Sequence, residues 1–262
     1  MNSDMPWIVE RIGLLPAAIF SVAIVTVLIY WLLNKSPLSE WFKGSEEVVP
    51  PFISVSALMF GFFAATLAAD IWPKQDEANK ILINETSAIR SLLATSEHLK
   101  ARDRVILVKS INGYVDAVLQ KEWPAMVVGD DVNREGALPE LKELSYTAIQ
   151  LAIREKLPSV LENRLQQSID QIRVARLSRL SLAHDSISFI KWRAVILFGF
   201  LLLFTVALVH MRRPRAMKIT LFVTALGILL SIAILANNRS PYAGRDAIKP
   251  EMLINSIKFY QE

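Results

Sequence analysis

Four apolar blocks of roughly 20 residues govern what this chain can fold into. They run roughly over Gly13–Leu33, Pro50–Trp72, Trp192–Met211 and Met217–Ala236. About 20 apolar residues in a helix cross the roughly 30 Å hydrocarbon layer of a bilayer. That layer offers no hydrogen bonds to a bare backbone, so each block must be a helix. A β-barrel is excluded, because its strands alternate and never stay apolar for so long. The chain has 262 residues, 53% of them hydrophobic and 21% charged, against about 25% charged in an ordinary soluble domain. A soluble globular enzyme and a disordered chain are both excluded. The absence of cysteine excludes disulfides, thiolate catalysis and Cys-ligated metals.

The expected fold is an all-α integral membrane protein with four transmembrane helices and a helical-bundle polar insert between spans 2 and 3. Its expected parts are an N-terminal tail with spans 1 and 2 (1–72), a polar bundle (73–191), a transmembrane hairpin (192–236) and a C-terminal tail packed on the bundle (237–262). The insert is rich in Leu, Ile, Ala, Glu, Lys and Arg. Apolar spacing predicts helices over Lys74–Leu99, Arg102–Trp123, Leu138–Glu155 and Pro158–Lys191. The first continues straight from span 2, and the last runs into span 3. Pro124 is expected to stop the second helix, Pro158 to open the fourth at its first position, and Gly129–Gly136 to form a loop. The hairpin loop carries Arg212, Arg213, Arg215 and Lys218, which favours a cytoplasmic position for it. The ends of the insert are also basic, so charge alone leaves the orientation open.

Catalytic patterns are missing. His98, His184 and His210 form no metal-binding spacing, and there is no phosphate-binding glycine loop. The pair Asp130-Asp131 reads as a solvated loop. Asn84-Glu85-Thr86 matches a glycosylation acceptor but falls within a helix. No cofactor, metal, enzymatic activity or nucleic-acid partner is expected. Gly61, Gly199 and Gly227, one per span, are expected to permit close helix packing.

The span interiors hold only Ser and Thr as polar residues, and Asp70 lies at the edge of span 2. Proton-coupled transporters place ionisable groups at the midplane; a passive pore does not need them and can gate by dewetting at an apolar constriction. Ser54, Leu58, Phe62, Thr66 and Asp70 follow one another at four-residue steps on span 2. That row either lines a pore or packs on span 1 or span 3.

The stretch Gly61-Phe62-Phe63-Ala64-Ala65-Thr66-Leu67-Ala68-Ala69-Asp70-Ile71-Trp72, with Ala78 and then Glu85-Thr86-Ser87-Ala88-Ile89-Arg90-Ser91-Leu92-Leu93, resembles the bacterial bestrophin-like membrane proteins. So does the ending Asn238-Arg239-Ser240-Pro241-Tyr242-Ala243-Gly244, with Pro250-Glu251-Met252-Leu253 after it. Bestrophins are pentameric anion channels with four membrane helices and a helical cytosolic part. The resemblance implies a pore neck of apolar residues at four-residue spacing, ending at the phenylalanine of a Gly-Phe pair. Leu58 and Phe62 take those places, and Ser54 stands where an apolar residue is expected. The calcium clasp of bestrophins needs an acidic cluster after span 4. Here Asp246, Glu251 and Glu262 are interspersed with Arg245, Lys249 and Lys258, so calcium is not expected.

Together these features lead to a homo-oligomeric passive ion channel in the cell inner membrane, multi-pass, permeable to inorganic anions such as chloride. The bilayer and further copies of the chain, five by the resemblance, are its expected partners. Arg239 and Arg245 are candidates for an anion vestibule. The rival from another class is a four-span helical sensor or scaffold without transport. A small-solute transporter is disfavoured by the dry spans.

Overall fold

The structure, a computed structural model, describes residues 20, 22–43, 51–128, 135–184, 189–244 and 247–258. Every regular element among them is a helix: α1 (Val22–Asn34), α2 (Ser39–Lys43), α3 (Pro51–Ser96) and α4 (Ala101–Ala117), then a π turn (Val118–Glu122), α5 (Trp123–Val128), α6 (Leu138–Glu155), α7 (Ser159–His184), α8 (Phe189–Val209), α9 (Pro214–Asn237) and α10 (Glu251–Lys258). Three helices are long and apolar enough to cross a membrane: α3, the helix ending at Val209, and α9. The apolar α1 is shorter. Residues 13–19 and 21 of the expected first span lie outside the described residues, as do residues 185–188, where the fourth helix of the insert was expected to run into span 3.

The chain divides into two compact units. One joins Met1–Ile71 to Ile187–Arg239, and the other joins Trp72–Ser186 to Ser240–Glu262. In the first unit, Ile29 and Leu33 of α1 pack with Leu203, Val206 and Ala207 of α8 and with Met217, Leu221 and Ile228 of α9. A second cluster joins Leu67, Ala68 and Ile71 of α3 to Val195 and Leu235. The outward residues are also apolar: Phe222 is 68% exposed, and Ile196, Leu197 and Phe200 are likewise exposed. Water would penalise such a surface, whereas hydrocarbon accepts it. The unit is membrane-embedded.

In the second unit, Leu92 and Leu93 of α3 meet Leu107, Ile111 and Val115 of α4, Leu141 and Leu144 of α6, and Leu165, Ile169 and Ile172 of α7. Two surface pairs fasten the start of α4 to the end of α6. Arg154 donates to Asp103, and Lys100 Nζ lies 3.1 Å from Glu155 Oε2. The C-terminal segment folds onto this core through Tyr242, Leu253 and Ile257, all buried. An isolated bridge between Ser240 and Ala243 makes the turn that admits it.

Three prolines act differently from expectation or in an informative way. Pro73 lies inside α3, where it cannot donate to the Ala69 carbonyl, yet the helix continues. Pro124 does not stop the second helix of the insert. The preceding turn widens into a π turn, with the Trp123 N–H bonding the Val118 carbonyl, and α5 carries on through Pro124. Widening accommodates a ring that would clash with the carbonyl four residues back. Pro158 precedes α7, and its carbonyl accepts from the N–H groups of Leu161 and Glu162. It therefore caps the helix and does not occupy its first position.

Ile111 is fully buried in the second unit. Ile111→Ala is expected to lower stability by about 2–5 kcal/mol, seen as a fall in the thermal unfolding midpoint of the detergent-purified protein. An unchanged midpoint contradicts this core.

Candidate functional site

The membrane part of α3 is two-sided. Ser56, Phe60, Phe63, Leu67 and Ile71 follow one another at steps of four, three, four and four residues, the spacing of one helix face. This face meets α8. Thr205 Oγ1 donates to Ser56 Oγ at 2.9 Å, and the Phe63 and Phe198 rings stack at 4.7 Å. Gly199 lies in this contact: a Cβ on it would stand 3.4 Å from Phe60 Cε2 and from Ile228 Cγ2, in van der Waals contact with both. Gly61 and Gly227, expected to serve the same purpose, have open space around their Cα instead.

The opposite face is exposed among the described residues. Leu58 is 69% and Phe62 59% exposed, and Ser54 is exposed as well. Thr66 and Asp70 are half-buried. A row at four-residue steps turns by about 40° per step around a straight helix, so its later members leave the open face. The open stripe itself runs through Leu58, Phe62, Ala65, Ala69 and Trp72. Thr66 Oγ1 donates to the Phe63 carbonyl at 2.9 Å. Asp70 Oδ2 accepts from Lys191 Nζ at 2.5 Å, so its charge is matched within the chain. Ser54, Leu58 and Phe62 thus share one open face, while Thr66 and Asp70 turn toward the chain's own neighbours. Arg239 is exposed, and Arg245 lies outside the described residues.

A second constellation, in the other unit, was missed by sequence reasoning. Glu85 of α3, Glu122 at the end of the π turn, and Arg176 and Arg179 of α7 form a buried ionic tetrad. Glu85, Glu122 and Arg179 are fully buried and Arg176 is 3% exposed. Arg179 Nε donates to Glu85 Oε2 at 2.9 Å, and its Nη2 donates to Glu85 Oε1 at 3.1 Å and to Glu122 Oε2 at 3.0 Å. Arg176 Nε donates to Glu122 Oε1 at 2.7 Å. Its Nη2 lies 2.6 Å from the same oxygen but is misaligned and donates to nothing. The phenol of Tyr114 donates to Glu85 Oε1 at 2.6 Å. Two carboxylates and two guanidiniums cancel in charge, which lets the group stay in a dry core.

The local chain is shaped around Glu122. The Ala137 N–H donates to Glu122 Oε1 at 2.8 Å. Gly136 has φ +25°, and a Cβ there would stand 2.6 Å from Glu122 Oε1, so only glycine fits. Trp123 lies edge-on to Tyr242 at 5.7 Å and under the Arg179 guanidinium at 5.8 Å. Burial, followed by the Glu85 charge, pushes the Tyr114 phenol well above its ordinary value. Burial does the same to Tyr242, against the opposing pull of Arg179. Burial alone would lower the Arg179 pKa, but Glu85 outweighs it and holds the guanidinium charged. The only advance sign of this site was Glu85 in the quoted stretch. Arg176 and Arg179 read as ordinary basic residues flanking a span.

Asp130 and Asp131 lie outside the described residues. Among the described residues no cluster of three or more His, Asp or Glu is arranged to hold a metal.

The bestrophin-like domain model matches residues 20–253. No curated protein matches the sequence. Solved structures do match in fold. One is a bacterial bestrophin homologue from Klebsiella pneumoniae carrying a tryptophan-to-alanine substitution: TM-score 0.72, 12% identity, covering 94% of this chain and 95% of that one. A leucine-to-threonine variant of the Klebsiella pneumoniae homologue gives a TM-score of 0.71 at 10% identity, covering 92% of this chain and 96% of the other. A tyrosine-to-alanine variant gives 0.71 at 12% identity, with 93% and 97% covered.

Two outcomes follow from the tetrad. Arg179→Met leaves Glu85 and Glu122 without their shared partner, and is expected to cost about 3–5 kcal/mol. Adding Glu85→Gln and Glu122→Gln should recover part of that loss, measured as unfolding midpoints. The second outcome concerns pH. A phenol whose folded pKa is raised contributes stability that is complete below its unfolded value of 10.0 and is lost as pH rises beyond it. The protein should therefore lose stability above about pH 10, and Tyr114→Phe should flatten that alkaline limb. Identical limbs in the two proteins contradict the assignment.

Proposed function

The chain belongs to the bestrophin-like family, and on that premise we propose that it is a homo-oligomeric passive ion channel of the inner membrane, permeable to anions such as chloride. Characterised members of the family are anion channels. The observation that carries the reading is the open apolar face of α3. Leu58 and Phe62 project from a helix whose other side packs on residues of α8 and α9. Copies of the chain around an axis, five in the family arrangement, turn this face inward. Leu58 and Phe62 then form rings that narrow the conduit, and such an apolar ring gates by expelling water. Ser54 contributes a hydroxyl on the same face and does not add to the dry constriction.

The remaining features fit conduction without coupling. Charged residues of the described spans sit at their ends: Asp70 paired with Lys191, Arg193 over the Phe189 ring at 4.3 Å, and Lys218 over the Tyr30 ring at 5.3 Å. No ionisable group is left in mid-span to carry protons. In this reading four helices span the bilayer, with α1 completing the set. Residues 73–191 lie on the cytoplasmic side, and Arg239 with Arg245 draws anions to the mouth.

Liposomes holding only this protein should release chloride, and Phe62→Ala should raise the rate severalfold by removing the bulkiest of the narrowing apolar side chains. A monomer in detergent together with tight liposomes overturns the channel reading in favour of a sensor or scaffold.

A further inference from the structure

The first unit carries a second surface that conduction does not use. At one end of it, α1 finishes and α9 begins side by side: Asn34 Nδ2 reaches Met217 Sδ at 3.6 Å, and Lys218 Nζ lies 5.3 Å from the Tyr30 ring centroid. Lys35, Arg213, Arg215 and Lys218 are all exposed there. Among the described residues no carboxylate pairs with any of the four. Directly after these cations the outward face of α9 turns apolar. Ile219 is 66% exposed, Phe222 68% and Leu226 46%. Arg215, Ile219, Phe222 and Leu226 are spaced at four, three and four residues, which places them on one straight stripe of the helix. Lys218 is one turn before Phe222 on the same side.

We propose that this stripe is a binding site for an anionic diacyl phospholipid, with the headgroup phosphate held by Arg213, Arg215 and Lys218 and an acyl chain lying along Ile219, Phe222 and Leu226. The chemistry needs both halves. A guanidinium fork matches a phosphate in shape and charge, and an ammonium adds a point charge beside it. A soluble anion would use the cations but would gain nothing from the apolar stripe below them. Trp31 of α1, 49% exposed and next to Tyr30, provides the amphipathic ring favoured at headgroup depth. Basic side chains at a membrane surface attract anionic lipid by about fivefold per residue. Three of them therefore give a preference well above that of a general apolar surface.

Native mass spectrometry of the full-length protein, after exchange into detergent with equal amounts of dioleoyl phosphatidylglycerol and dioleoyl phosphatidylcholine, tests this. Phosphatidylglycerol should be retained at least tenfold over phosphatidylcholine, and 50-fold excess inorganic phosphate should not displace it. The R213Q/R215Q/K218Q variant should lose the preference. A variant with the same charge change at exposed positions of the other unit, K109Q/K142Q/R164Q, should keep it. Both should elute and melt as the parent does. If the first variant does not fold, R215Q alone should reduce the preference about fivefold. Equal retention of the two lipids by the unmodified protein overturns the proposal, as does displacement by phosphate or an unchanged preference in the R213Q/R215Q/K218Q variant. Chloride flux through the parent is a separate readout, so the lipid site and the channel reading fail independently.

Discussion

Hydrocarbon offers no hydrogen bonds, and that single constraint orders the first unit of this molecule. Backbone groups must be satisfied within each segment, so the apolar blocks are helices. Burial of apolar surface no longer drives their association, because lipid tails are as apolar as leucine. What remains is close fit and a few polar contacts. Both are visible between α3 and α8: Gly199 faces the Phe60 ring, the Phe63 and Phe198 rings stack, and the Ser56–Thr205 hydrogen bond joins two hydroxyls that would otherwise sit in a dry interior. The same constraint keeps Asp70, Lys191, Arg193 and Lys218 at the span ends, where they pair or lie over aromatic rings.

The second unit solves the reverse problem. Water drives its apolar residues inward, yet four full charges go with them. Burying a lone carboxylate would cost several kcal/mol, and only pairing with further hydrogen bonds offsets it. The tetrad meets that demand almost completely, because each carboxylate oxygen of Glu85 and Glu122 accepts at least one bond. The fork of Arg179 joins α3, α7 and the π turn in one register. Sliding α7 by one residue would rotate Arg179 by about 100° away from both acids. The π turn, Gly136 and the Ala137 N–H are then consequences of bringing Glu122 to that point.

Much of this was legible in the sequence because the signals were periodic. The apolar runs of spans 2 to 4 and the helix over Leu138–Glu155 needed only counting. The row on α3 does not keep to one exposure along its length: Ser54, Leu58 and Phe62 are exposed while Thr66 and Asp70 are half-buried, since a four-residue step departs from the helical period and drifts around the helix. The tetrad was hidden for a different reason. Its members are 37 residues apart in one case and 54 in another, from Glu85 to Glu122 and from Glu122 to Arg176. A charged residue in a helix is ordinarily solvated. Nothing local marks the exceptions; only tertiary packing selects which acids meet which arginines. Pro124 misled for a related reason, because a stop signal in an α-helix loses its force once the turn before it widens.

The two units therefore obtain specificity from opposite currencies, and α3 contributes to both. Up to Ile71 it is held by apolar contact, with one face left open; beyond Trp72 its apolar core contacts are joined by charge, through Glu85. An open apolar face is stable in lipid and equally compatible with neighbouring copies, so the packing within one chain does not choose between them. In the ring of copies proposed above, the open face carrying Leu58 and Phe62 would be turned to an axis shared with neighbouring copies. An apolar constriction built in that way would belong to no single chain, since each subunit would supply only one side of it.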